Sequence, residues 1–272
     1  MTLSKHVLFL KLGTGFSAAA LVAFFVVSFK IIPFYPDLVS SADRSIHLFG
    51  LLPAPSAYVP FATTLAALVY ALVAQILIFY FFEKTQLAEL RLFSVFVFSF
   101  IFEIFRVMAP LSKAFNLTMS YPQIAARLLV FGHYYGIFSL FAASLYAAGI
   151  KNQKEENILI PMFIIAVLIS FRIPVDVFSW NTDFSPVTGY MVMSKILNYA
   201  ILIIAVLSFF IAAFTRGMRE YYFIGAGVFI ICLGRSLFLG ADTWIIAAIG
   251  FLVLVFGTWS IGYQLRRMYL WI

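Results

Sequence analysis

Residues Leu92–Pro110 read LFSVFVFSFIFEIFRVMAP, a nearly unbroken apolar run with Glu103 and Arg106 toward its far end. A bilayer core about 30 Å thick is crossed by roughly 20 apolar residues in a helix, so this stretch is long enough to span. Its two charged residues are three apart, which puts them on one helix face. A carboxylate and a guanidinium at that depth are costly unless they meet partners. The stretch therefore predicts a membrane span that turns its charge toward other spans and not toward lipid.

Working outward, similar runs recur along the whole chain. Of its 272 residues, 64% are hydrophobic and 11% charged. A soluble domain carries about 25% charge, too many to be reconciled with this composition, so lipid is the expected solvent. The fold class expected is all-α: a polytopic integral membrane protein forming a single transmembrane domain over residues 1–272. Eight spans are expected, near residues 12–32, 61–82, 92–110, 124–149, 158–174, 190–214, 221–239 and 243–264. The loops alternate in charge. Lys5, Lys11, Lys84, Arg91, Lys151, Lys154, Arg216, Arg219, Arg266 and Arg267 fall on one side, and only Arg44 and Lys113 lie in loops on the other. That bias predicts both termini on the cytoplasmic side of a cell (cytoplasmic or plasma) membrane. The first apolar run is too long for a signal-peptide core and is read as a retained helix. Trp180 and Trp244 are expected at outer helix ends, and Tyr221, Tyr222, Tyr263 and Trp271 at inner ones. The longest outer loop, Pro33 to Pro60, is proline-rich, and its IHLFGLL segment suggests an interfacial turn.

Six basic residues remain within or at the edges of spans: Lys30, Arg106, Arg127, Arg172, Lys195 and Arg235. Their spacing is regular. Arg106 to Arg172 is 66 residues and Arg172 to Arg235 is 63, while Arg127 to Lys195 is 68. The inner-loop residues Lys84, Lys151 and Arg216 follow at 67 and 65. This predicts an internal repeat of about 65 residues, each unit a helical hairpin whose ascending helix carries a cation high in the membrane. The units are spans 2–3, 4–5 and 6–7, with span 8 and span 1 completing a permuted fourth. Acidic neighbours are fewer: Glu103 beside Arg106, Asp176 four after Arg172, and Asp242 seven after Arg235. One reading makes these structural ion pairs at helix ends. The other makes the surplus of cations an outward-facing basic cavity for an anion, lined by Arg106, Arg127, Arg172, Lys195, Arg235 and Lys30 with Glu103.

His133, Asn198 and Gln75 are candidate interior polar residues, and Thr258 joins them. His133 lies in Gly132-His133-Tyr134-Tyr135-Gly136, where the glycine spacing suggests close helix packing. A lone histidine is more readily a hydrogen-bonded packing residue than a ligand, although a proton-linked role is open. Cys232 is the only cysteine, which excludes an intrachain disulfide and a cysteine metal site. No metal site and no cofactor is expected. Lys195 sits at a helix start in the sixth span, unlike the mid-helix lysine in the last span of retinal proteins. No nucleophile–base motif or phosphate-binding loop is present, so an enzyme is not expected. The net charge of +7 comes without a basic run, so no nucleic-acid partner is expected. Membrane lipid, an anionic small molecule or lipid headgroup, and a membrane partner subunit are the expected partners. The reading that follows is a non-enzymatic binding or sensory module for an anion. An organic-anion transporter, with proton coupling through Glu103 or His133 as an option, and a structural accessory subunit of a membrane complex are the alternatives.

Overall fold

The computed structural model describes residues 3–31, 58–82, 87–149, 155–181 and 183–270. Most of the Pro33–Pro60 loop, the inner-loop residues Lys84, Lys151 and Lys154, and Trp271 lie outside the described residues. In hydrocarbon a backbone N–H or C=O can find no water, so an isolated segment satisfies itself only as a helix. The described chain is accordingly helical almost throughout: α1 (Leu3–Ile31), α2 (Val59–Phe82), α3 (Ala88–Ala114), α4 (Ser120–Ala147), α5 (Glu155–Arg172), α6 (Met191–Arg216), α7 (Glu220–Leu239) and α8 (Trp244–Leu270). Seven of the eight are long and apolar enough to cross a membrane. The exception is α5. Its apolar part, Ile158–Arg172, is about 22 Å long at 1.5 Å per residue, short of a bilayer core.

Between α5 and α6 the chain forms a two-stranded antiparallel hairpin, β1 (Val175–Trp180) with β2 (Pro186–Thr188). Reading every ordered segment as helix missed it. Trp180, expected at a helix end, lies in β1. The signal was a short alternation, Val175-Asp176-Val177, in a loop where β-branched residues favour extended backbone. Gly217, with φ +66°, closes α6 in the left-handed conformation that glycine adopts without steric cost.

The helices close into a ring. α2 packs on α3, α3 on α4, α4 on α6, α6 on α7 and α7 on α8, and α8 returns to α2. α1 lies outside against α2 and α3, and α5 outside against α4. Burial is uneven: 67% of the apolar window of α3 is buried and 61% of that of α4, against 22% for α1, outside the ring, and also 22% for α6, a ring member. The largest core cluster is filled by Tyr70, Phe96, Phe100, Tyr146, Phe209 and Ile231 with their neighbours. α7 and α8 approach most intimately. A Cβ added to Gly234 would lie 2.6 Å from the backbone nitrogen of Leu254, and one added to Gly227 or Gly257 would strike an isoleucine of the facing helix. Small residues are what let two helix backbones come this close. At the end opposite the hairpin, Arg216 donates to the Tyr221 hydroxyl (3.1 Å) and the Tyr146 carbonyl (3.0 Å), and Tyr221 donates to Glu89 (3.4 Å). Those contacts tie the ends of α3, α4, α6 and α7.

Candidate functional site: a buried Arg–Glu–Arg cluster

The middle of α3 is not α-helical. Ala88–Ser99 is α, Phe100–Val107 is 3-10, and Met108–Ala114 is α again. Runs of 3-10 helix beyond three or four residues are uncommon, and inside a longer helix they mark strain or function. With three residues per turn, side chains at i, i+3 and i+6 eclipse. Phe100, Glu103 and Arg106 therefore stand in one column, and all three are buried.

Arg235 of α7 meets this column from across the ring. Its Nη2 donates to Glu103 Oε1 at 3.1 Å and its Nη1 to Ser99 Oγ at 3.3 Å. Its guanidinium lies 4.7 Å from the Phe100 ring centroid and 5.7 Å from that of Phe96, the geometry in which an aromatic face attracts a cation. The other carboxylate oxygen, Glu103 Oε2, accepts from Arg106 Nε at 2.7 Å. Glu103, Arg106 and Arg235 are 3%, 5% and 3% exposed. Desolvated charges of this kind are tolerated when paired and hydrogen-bonded. Arg106 has further contacts. Its Nη1 donates to the carbonyl of Leu239 at 2.7 Å, where a cation complements the negative end of α7. The same nitrogen donates to the carbonyl of Asp183 at 2.9 Å, and the Asp183 carboxylate stands 3.6 Å away.

Asp183 is the residue the sequence reading missed. It lies in the turn between β1 and β2, and its Oδ1 accepts from the backbone N–H and hydroxyl of Ser185 at 3.0 and 2.6 Å. An aspartate followed by serine two residues on is a turn signal, but nothing in it names Arg106 as partner. Arg235 was expected near Asp242; its carboxylate in the structure is Glu103, on another helix.

The structure thus brings together Glu103, Arg106 and Arg235, and leaves the other four predicted residues elsewhere. Arg127 donates to the Phe171 carbonyl (3.3 Å) and lies 4.9 Å from the Phe171 ring centroid, so it fastens α4 to α5. Arg172 at the end of α5, Lys195 near the start of α6 and Lys30 in the last turn of α1 are exposed. The cluster and Asp183 hold two cations and two carboxylates, so the surplus of positive charge lies with the exposed residues.

The interior polar residues also divide. His133 Nε2 and Asn198 Nδ2 are 3.0 Å apart, and Tyr134 and Ser194 share a hydroxyl–hydroxyl bond of 2.8 Å. Both pairs fasten α4 to α6. Gln75 is engaged between α2 and α3, donating to the Ser94 carbonyl (2.7 Å) and accepting from its hydroxyl (3.1 Å). Thr258 bonds Tyr70. Gly132 and Gly136 press against the junction where the 3-10 segment begins: a Cβ on Gly132 would collide with Phe102, and one on Gly136 with Ser99, the last α residue before it. Among the described residues, no three His, Cys, Asp or Glu side chains gather as a metal site requires. Compared with the profiles of known protein families and with curated proteins, the chain matches none.

Proposed function

We propose that the chain is a multi-pass protein of the cytoplasmic or plasma membrane that binds an anionic ligand or lipid headgroup at its outer face, as a non-enzymatic binding or sensory module. In this reading α5 is an eighth, short span, both termini are cytoplasmic, and the hairpin end of the bundle faces outward. The hairpin repeat of about 65 residues relates Arg106, Arg172 and Arg235 as equivalent positions whose surroundings have since diverged.

One observation carries the proposal. Arg106 meets Glu103 tightly, at 2.7 Å, but the second carboxylate, Asp183, only at 3.6 Å. A planar guanidinium matched to oxyanions thus has a close carboxylate from within and a distant one on the hairpin side, where the short contact is the Asp183 carbonyl at 2.9 Å. Exposed Arg172, Lys195 and Lys30 add positive potential, which raises the local concentration of anions.

Native mass spectrometry of the protein released from lipid nanodiscs tests this. Wild type should carry an anionic adduct, reduced in Arg106→Gln and in the milder Arg172→Gln/Lys195→Gln variant, whose sites are exposed and whose fold is not at risk. Arg127→Gln should retain it. If wild type carries no adduct and the variants lose only thermal stability, the reading fails. The second reading, an accessory subunit whose charges merely pair, then takes its place. The charge balance of the cluster with Asp183 favours that alternative. Transport is less well supported, because Gln75 and the His133–Asn198 pair are engaged between different helices.

A further inference from the structure

We infer that Asp183 is a tethered occupant of the anion site, a carboxylate on the hairpin tip that an incoming oxyanion displaces from Arg106. This deepens the binding reading above and rests on it.

The two carboxylates around Arg106 are held differently. Glu103 is fully enclosed, takes one hydrogen bond from each arginine and sits on a membrane helix. Asp183 lies on a turn, its side chain is 18% exposed, and its carboxylate is 3.6 Å from Arg106. A charge contact weakens as it lengthens and as water reaches it. Of the two, Asp183 is the one that can exchange. Its orientation is set by the turn: Ser185 occupies Oδ1, which leaves Oδ2 toward the guanidinium.

The neighbouring residue fixes the tip in place. Phe184 has φ +58°, a left-handed conformation that is unfavourable for a bulky residue. Surrounding contacts must hold it there. Its ring meets Phe61 edge-on at 5.8 Å and packs against the cluster of Phe24, Ile31, Leu68 and Val107. The hairpin tip thus has a polar hold on Arg106 and an apolar hold on α1, α2 and α3. Leaving would relieve the strained backbone and free Arg106 Nη1 from two of its three oxygen contacts. The chemistry that can replace them is an oxyanion, a carboxylate or a phosphate, that takes a guanidinium fork in two-point fashion. Such a group could belong to a small solute or to a lipid headgroup.

The test compares wild type with Asp183→Asn, which removes the charge and keeps the shape, and with Phe184→Ala, which keeps the charge and removes the apolar hold. Succinate and inorganic phosphate are titrated into protein in phosphatidylcholine nanodiscs. In a parallel arm, retained phosphatidylglycerol is counted by native mass spectrometry. Both variants should bind one of these probes more tightly, by about tenfold, the size of one lost charge-assisted contact. The arm in which this happens tells solute from lipid. If wild type binds and neither variant gains affinity, the tethered-occupant inference is overturned and the binding reading stands. A loss of affinity in Asp183→Asn also overturns it, since Asp183 would then help hold the ligand. If no protein binds any probe, the binding reading itself fails and takes the inference with it.

Discussion

Glu103 sits between two guanidinium groups, and its role follows from what its removal leaves behind. Glu103→Gln keeps the volume but strips the one negative charge that Arg106 and Arg235 share inside the bundle. Breaking a buried pair in this way costs about 3–5 kcal/mol, because the remaining charges stay desolvated. Thermal unfolding in detergent should show a large fall in Tm for Glu103→Gln, and a smaller one for Glu103→Gln/Arg235→Gln, where one stranded cation is also gone. Equal falls would mean that Arg235 does not depend on Glu103. The sequence was legible here in part. The i,i+3 spacing of Glu103 and Arg106 foretold their pairing, whereas Arg235 lies 132 residues from Glu103 and no local pattern ties them. Asp183 was equally hidden, since a loop aspartate is ordinary until the loop is seen to fold back.

At the scale of an element, the 3-10 segment and the glycines of α4 explain each other. One 3-10 turn advances three residues at about 2.0 Å each, and four residues of α-helix advance about 1.5 Å each; both give about 6 Å. Gly132 and Gly136 are thus in step with Phe102 and Ser99, which are three apart and face them. The GxxxG spacing could be read in the sequence as close packing, but the change of helix type could not, because it depends on which surface lies opposite. Gly136→Ala would drive a methyl group against Ser99 and within 2.8 Å of Arg235 Nη1, an overpacking cost of about 1–3 kcal/mol. Gly15→Ala and Gly262→Ala meet nothing within 4 Å and should be neutral or stabilising by up to about 1 kcal/mol, the ordinary gain of alanine over glycine in a helix. Unfolding curves of the three variants check the contrast. A harmless Gly136→Ala would show that the segment yields easily.

For the whole molecule, hydropathy made the membrane class and the approximate positions of the helices readable, since apolar run length is set by the bilayer. Ring closure was not readable: α2 with α8 is a contact between segments far apart in sequence. The proposed orientation is checked with single cysteines on a Cys232→Ser background and an impermeant maleimide added from outside. Lys113→Cys should react, Arg219→Cys should not, and the reverse pattern would invert the topology. The glycine-faced contact of α7 with α8 has a mechanical consequence. Backbones in contact along facing turns cannot slide past one another without collision, and Arg267 and Glu220, 3.8 Å apart, join the same two helices at the far end. The two helices therefore behave as one lever. Any shift of α7 at the level of Arg235 would be carried to the Glu220 end of the bundle by α7 and α8 together.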